Sequence, residues 1–187
     1  MWLRTLYIIS FFFSGSSLIQ ESPCVCTTVP CPEVGENDII MGNGGVQMTY
    51  IYESHNNIPV VVSAKGVLTP ESLDHGTETT SCTQKYSRML EDDGEQSCDA
   101  GHIIANRLGG YGNEPLNIFP QNATINRGSY AQFEGDIYDC MRTSSKGYLN
   151  WVFNYPGSQH TQPNQVIYSA EFENSTCGSM YQEFSNG

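Results

Sequence analysis

Two short stretches in the first half of the chain have hydrophobic patterns that are typical of β-strands. Residues 47–53 read Gln-Met-Thr-Tyr-Ile-Tyr-Glu, and residues 58–64 form an apolar run rich in β-branched side chains. Alternation with a period of two predicts half-buried β-strands, and the residues His55-Asn56-Asn57 between the two stretches predict a turn. Residues 148–155 and 166–172 have the same pattern and predict two further strands.

Between these two groups of strands the pattern changes to a helical period. The apolar residues Phe133, Ile137 and Met141 recur every four positions, which is typical of one face of a helix. A shorter helix is predicted around residues 84–90, inside a polar stretch. The pattern is therefore compatible with an α+β domain.

The first residues have the order of a secretory signal peptide. Arg4 precedes an apolar run at residues 6–13, and small residues follow at 14–17. The run is too short to span a bilayer comfortably, so export is favoured over an N-terminal anchor. We expect a signal peptide at residues 1–17, an irregular leader rich in Cys, Pro and Gly at residues 18–45, and one domain at residues 46–187. Secretion without stable membrane association follows from this interpretation.

Cysteine usage favours an oxidising compartment. The chain has 7 cysteines, and all of them follow the predicted signal peptide: positions 24, 26, 31, 82, 98, 140 and 177. Disulfides are favoured over a metal site at Cys24, Cys26 and Cys31, because the spacing of known zinc motifs is absent. The odd number leaves one thiol without a partner inside the chain, and the connectivity stays open. Two sequons, at Asn122 and Asn174, predict a glycoprotein if the source is eukaryotic.

A set of polar residues that could take part in catalysis or metal binding lies between Cys98 and Cys140. The segment Asp99-Ala100-Gly101-His102 is followed by Asn117, by Asn126-Arg127-Gly128 and by Glu134. A neutral imidazole, with an ordinary pKa near ~6.5, can take a proton from water at physiological pH. Each residue taken alone is more often a surface or turn residue, as we assume for the other histidines of the chain, which lack any surrounding motif.

The order and spacing of this set resemble the active-site signature of the DNA/RNA non-specific endonucleases, a ββα-metal (His-Me finger) family. That signature reads Asp-Arg-Gly-His, then Asn, then Asn-x-Gly, then Glu. The resemblance implies an α+β fold with a ββα-metal core, antiparallel sheet and a metal-bearing helix. It further implies that His102 is the general base and that Asn126 is the direct ligand of Mg²⁺, or of Mn²⁺ in its place. Asn117 would orient the site through hydrogen bonds.

The role of Glu134 follows from helix geometry. If the chain is helical from Asn126 onward, Glu134 lies about 12 Å further along the axis and roughly 80° around it. Direct coordination of one small ion by both side chains would be strained, so we expect Glu134 to hold a metal-bound water, as the resemblance implies. Asp99 is interpreted as a supporting residue that holds the turn from which His102 projects.

Ala100 departs from the family signature, which has an arginine at this position. Arg107 and Arg127 are candidate substitutes for that catalytic cation, and a surface charge is an equally good interpretation of each. The departure also motivates an alternative function, a catalytically inactive secreted binding protein that retains the fold. A hydrolase acting on another phosphodiester is a weaker alternative.

Overall charge opposes the binding of a polyanion. The net charge is −12 and the pI is about 4.5, which repels nucleic acid at long range. Basic residues in the second half of the chain and a bound divalent ion would offset this repulsion locally. Since no base-reading module is visible, the sequence predicts DNA and RNA as substrates, cut with low sequence specificity. No feature of the sequence fixes an oligomeric state.

Overall fold

The structure is a computed structural model, and it describes Cys26, residues 29–91 and residues 98–187. The predicted signal peptide at residues 1–17 and the cysteine at position 24 lie outside these described residues. The domain boundary at residue 46 stays a prediction.

A six-stranded antiparallel sheet forms one layer of the molecule, with the strand order β1-β2-β3-β6-β7-β8. Inward side chains alternate with exposed ones along β2 and β6, so the period-two prediction for these strands is confirmed. The strands of this sheet are β1 Gly35–Met41, β2 Val46–His55, β3 Ile58–Leu68, β6 Lys146–Asn154, β7 Gln165–Glu173 and β8 Met180–Ser185.

A separate two-stranded sheet carries the predicted site. Strand β4 (Cys98–His102) pairs antiparallel with β5 (Ile118–Asn122). Helix α1 (Ser81–Leu90) precedes this hairpin and begins with a capping box formed by Thr80 and Thr83. The predicted short helix is confirmed, and it starts three residues before the expected position.

The chain after β5 is helical but not regular. It contains α2 (Ala123–Ile125), a π-helical segment (Asn126–Tyr130) and α3 (Ala131–Met141). The backbone of Gly128 is not helical, with φ −112° and ψ −107°. The helix that we expected from Asn126 onward is therefore interrupted, and the regular rotation assumed between Asn126 and Glu134 does not apply. Such π segments are common at functional sites.

The core lies between the large sheet and α3. Trp151 stacks on Tyr168 with 4.3 Å between ring centroids, and its indole N–H donates to the Tyr130 hydroxyl at 3.0 Å. Tyr130 in turn donates to the backbone oxygen of Ile103 at 3.0 Å. Because Ile103 directly follows His102, this chain of contacts ties the sheet to the site.

Two parts of the large sheet were not predicted. Residues 35–41 were expected to be irregular, and this expectation is wrong, since they form the edge strand β1. Its sequence carries turn-forming residues and a largely exposed Ile40, so pairing with β2 decides its structure, not a buried face. Strand β8 has a mixed polar sequence and is defined by pairing with β7.

Disulfides brace both ends of the site region. Cys26 is bonded to Cys82 on α1, and Cys140 at the end of α3 is bonded to Cys177 between β7 and β8. Cys31 is also disulfide-bonded. The predicted disulfide framework is confirmed, and its connectivity comes from the structure.

None of the helices in the described part of the chain combines the length and the apolar character needed to cross a membrane.

Candidate active site

His102 ends β4, and its ring is held from one side. Its Nε2 lies 3.0 Å from the backbone oxygen of Thr77. A carbonyl oxygen only accepts hydrogen bonds, so we assign the proton to Nε2, which leaves the Nδ1 lone pair available. Burial lowers the pKa of His102, while the Thr77 carbonyl and the charge of Glu78 oppose this shift. The ring is therefore neutral at physiological pH and can act as a base.

A glycine makes room for this arrangement. The Thr77 oxygen also accepts a hydrogen bond from the Gly112 amide, at 3.0 Å. A Cβ atom at Gly112 would lie 2.5 Å from His102 Nε2 and would displace the ring. The sequence marks residues 109–112 as a glycine-rich loop, but it does not reveal that this loop backs the imidazole.

Asn117 is fully buried and uses its whole hydrogen-bonding capacity. Its Oδ1 accepts from the Ile104 amide and from the Tyr50 hydroxyl, both at 3.0 Å. Its Nδ2 donates to the backbone oxygens of Ile104 at 3.0 Å and of Tyr111 at 3.3 Å. Asn117 thus joins the loop after His102 to β2 and the glycine-rich loop, and it lies outside the cleft.

Asn126 and Arg127 both contact Asp99. The Asn126 Nδ2 donates to Asp99 Oδ2 at 2.9 Å, and no described residue donates to its Oδ1. Arg127 forms a two-pronged pair with the same carboxylate, at 2.8 Å and 2.5 Å. The Arg127 side chain is 73% exposed and that of Asp99 is 20% exposed. Asp99 therefore links β4 to the π-helical segment.

A cleft of about 400 Å³ brings His102, Asp99 and Asn126 together. Ala100 also lines it, and α1 contributes Gln84 and Arg88. The sequence analysis missed the residues from α1, because the family signature is local and these residues precede it. No signal in the sequence places a helix ten or more residues upstream against the motif strand.

Glu134 lies in α3 and is buried, outside the lining of this cleft. Burial raises the pKa of Glu134 well above its ordinary value, and the Arg107 charge and the Ala105 backbone partly oppose this. Among the described residues, its Oε1 has no hydrogen-bond partner. Arg107 lines a second polar pocket, of about 280 Å³, together with Asp74 and Tyr138. Neither Glu134 nor Arg107 is thus among the residues that line the cleft of His102.

The donor set suits a hard cation that keeps most of its water. Within the described residues, no group of three or more His, Cys, Asp or Glu side chains could hold a metal ion. Asn126 Oδ1 offers a neutral oxygen, and the Nδ2 of the same side chain donates to Asp99. Mg²⁺ is commonly bound by few protein oxygens, with waters and phosphate oxygens completing the shell. The residues present fit that mode.

Comparison with known proteins identifies the family. The sequence profile of the DNA/RNA non-specific endonucleases matches residues 42–174, and the chain belongs to this family. The protein described as a probable deoxyribonuclease RhsA, from Dickeya dadantii (strain 3937), is 37% identical over 108 residues. The match covers 58% of this chain and 7% of that much longer relative.

Solved structures agree on the fold. NucA from Streptococcus agalactiae, solved with a magnesium ion bound, has a TM-score of 0.54 at 13% identity, over 86% of this chain and 85% of that chain. EndoG, solved in its complex with EndoGI, has a TM-score of 0.52 at 13% identity, over 83% of this chain and 76% of that chain. The α+β fold with a ββα-metal core is confirmed.

Proposed function

We propose that this protein is a secreted, metal-dependent endonuclease that hydrolyses phosphodiester bonds of DNA and RNA with little sequence preference. The observation that carries this proposal is the hydrogen bonding and position of the His102 ring. Its Nε2 is committed to the Thr77 oxygen at 3.0 Å, and its ring lines the same cleft as Asn126. Family membership supports nuclease chemistry in that cleft.

His102 acts as the general base in this mechanism. Nδ1 takes a proton from water as the water oxygen attacks phosphorus, and the bond from phosphorus to the leaving oxygen breaks. The imidazolium that forms is stabilised through its Nε2–H by the Thr77 carbonyl and by the charge of Glu78. Asn117 keeps the backbone after His102 in place through its buried hydrogen bonds.

Asn126 Oδ1 would hold Mg²⁺, or Mn²⁺ as the alternative ion. When bound, the ion stabilises the negative charge that gathers on the phosphate and on the leaving oxygen. Asp99 fixes the Asn126 amide so that Nδ2 is engaged and Oδ1 is available. The magnesium ion in the NucA structure supports the choice of metal. Glu134, with an unpartnered buried oxygen, is proposed to hold a water of that ion.

The two arginines named from the sequence have different surroundings. Arg127 is paired with Asp99, which favours a positioning role over phosphate binding. Arg107 faces the second polar pocket and influences the charge of Glu134, so we propose that it supports the ionised form of that carboxylate.

Export is supported by the disulfides, which persist in oxidising compartments. The two sequons differ in the structure. Asn122 uses its side-chain oxygen to cap α2, accepting from the Thr124 and Ile125 amides. Asn174 is exposed between β7 and β8. A glycan attaches to Nδ2, which at Asn174 donates to the Ser145 hydroxyl at 3.0 Å and at Asn122 has no acceptor among the described residues. We therefore propose that both sequons are glycosylated in a eukaryotic host, which mass spectrometry of the secreted protein tests.

The deciding experiment incubates the purified mature protein with supercoiled plasmid and with RNA, in Mg²⁺, in Mn²⁺ and in excess chelator. We expect cleavage of both substrates with either ion, loss of cleavage in chelator, and recovery on adding Mg²⁺. Cleavage that persists in excess chelator contradicts the metal mechanism. Binding of nucleic acid without cleavage in any ion would instead support the inactive binding protein.

A further inference from the structure

Helix α1 packs against one side of Ala100. Ala100 packs against the cluster that contains Tyr86 and Leu90 of α1. The Ser87 hydroxyl donates to the Asp99 backbone oxygen at 3.3 Å, and the Cys26–Cys82 disulfide anchors the start of the same helix. An arginine at position 100 would therefore compete with α1 for space.

The same helix brings its own cation to the cleft. Gln84 and Arg88 are four residues apart, so they share one face of α1, and both line the cleft with His102 and Ala100. Among the described residues that line the cleft, Arg88 is the one Lys or Arg, and Glu78 and Asp99 are the acidic ones. Its positive charge thus lies where a phosphate must enter.

The Arg88 guanidinium is also available for binding. Among the described residues, the ion pair found within 4.0 Å joins Arg127 to Asp99 and does not involve Arg88. Arg88 is exposed, and its electrostatic neighbour is Glu91, the residue directly after α1, whose pKa is raised by burial and lowered in part by Arg88. Arg127 has a fixed carboxylate partner, whereas Arg88 has none within ion-pair distance among the described residues.

We propose that Arg88 binds the phosphate of the substrate in the cleft and supplies the charge that the family signature carries at the position of Ala100. This inference rests on the proposed nuclease function and names a residue that the signature does not contain. A guanidinium matches two phosphate oxygens at once, so it also orients the phosphodiester relative to His102. In this interpretation, α1 packs against the small residue at position 100, and Arg88 on the same helix replaces the positive charge that is missing there.

The test compares Arg88→Ala with Lys85→Ala. Lys85 is an exposed cation on the same helix that does not line the cleft, so both variants remove one positive charge from α1. On a defined duplex in Mg²⁺, kcat/KM should fall about 10- to 100-fold for Arg88→Ala and stay close to wild type for Lys85→Ala. Arg88→Lys keeps the charge but loses the two-pronged guanidinium geometry, so its kcat/KM should lie between those of the two alanine variants. Equal thermal unfolding midpoints check that each variant is folded, and Arg88→Gln replaces any variant that is not.

Binding gives a second readout that does not need turnover. In a His102→Ala background, the affinity for the duplex is measured over a salt series. Removal of Arg88 should reduce the slope of log K against log salt by about 0.9, as expected for one lost phosphate contact, and removal of Lys85 should not.

The outcomes separate the two proposals. If the wild type cleaves and Arg88→Ala behaves like Lys85→Ala in both assays, the role of Arg88 is wrong and the nuclease function stands. If the wild type cleaves neither substrate with either ion, the proposed function fails, and the salt series alone decides whether Arg88 contacts a phosphate.

Discussion

The two sides of the cleft are built in different ways. On the side of the β4–β5 hairpin, His102 is held by a backbone oxygen, and Asn117 behind it makes four hydrogen bonds in full burial. On the helical side, Asn126 begins a π-helical segment, Arg127 is largely exposed, and Glu134 has a buried oxygen without a partner among the described residues. The protein holds the proposed base in place, whereas the helical side presents oxygen atoms whose coordination a metal ion and its waters would complete.

The first prediction removes the hairpin side's functional group. His102→Ala should lower turnover on plasmid by about 10²- to 10⁴-fold, the usual contribution of a positioned base, with little change in thermal stability. Added imidazole should restore part of the activity, because the missing group is a base in a vacated space. Near-wild-type turnover by this variant would refute the assignment of the base and most of the proposed mechanism.

The second prediction compares the two asparagines. Asn117→Ala leaves the Ile104 backbone groups and the Tyr50 hydroxyl without partners, so the free energy of unfolding should fall by about 3 kcal/mol. Asn126→Ala should instead lose activity and metal affinity with a small change in stability, since Asn126 is half-buried and makes one described side-chain hydrogen bond. Chemical denaturation and calorimetric Mg²⁺ titration distinguish the pair. A loss of metal affinity in a folded Asn117→Ala protein would reverse our division of roles.

The third prediction concerns the unpartnered carboxylate. Because burial raises the pKa of Glu134, the folded state binds a proton more tightly there than the unfolded state does. In the metal-free protein, its contribution to stability therefore falls as pH rises above the ordinary carboxyl pKa. Glu134→Gln should remove this loss at neutral pH and lower activity about 10- to 100-fold, as outer-shell changes do.

Asp136→Asn is the matched control for Glu134→Gln, since it is an exposed carboxylate on the same helix. In Asp136→Asn, neither the stability at neutral pH nor the activity should change appreciably. If Glu134→Gln retains full activity, Glu134 does not hold a metal-bound water.

The smallest effect expected is a shift in the pH profile. Imidazolium cannot accept a proton, so kcat/KM should fall as pH drops through the pKa of His102, and burial places this acidic limb below the ordinary histidine value. Glu78→Gln should move the limb lower still, because the Glu78 charge favours the protonated ring. An acidic limb at or above pH ~6.5 would contradict the buried, neutral ring.

Local sequence was sufficient for much of this protein. The period-two stretches predicted β2, β6 and β7, because each has one buried and one more exposed face. An apolar run predicted β3, in which the consecutive residues Val60 and Val61 are both buried. The motif residues pointed to the family, since the chemistry needs those side chains in that order. Edge strands β1 and β8 were missed, because backbone pairing and not a distinctive pattern defines them.

The sequence by itself determined the family, the ββα-metal fold, the disulfide-bonded character and the identity of the proposed base and metal ligand. Tertiary structure alone decided which nitrogen of His102 is available, since that depends on Thr77, 25 residues upstream. It also decided the break in the helix at Gly128, the burial of Glu134 and the presence of Arg88 in the lining of the cleft. These features depend on contacts between segments distant in the chain, and such contacts leave no local pattern of hydrophobic and polar residues.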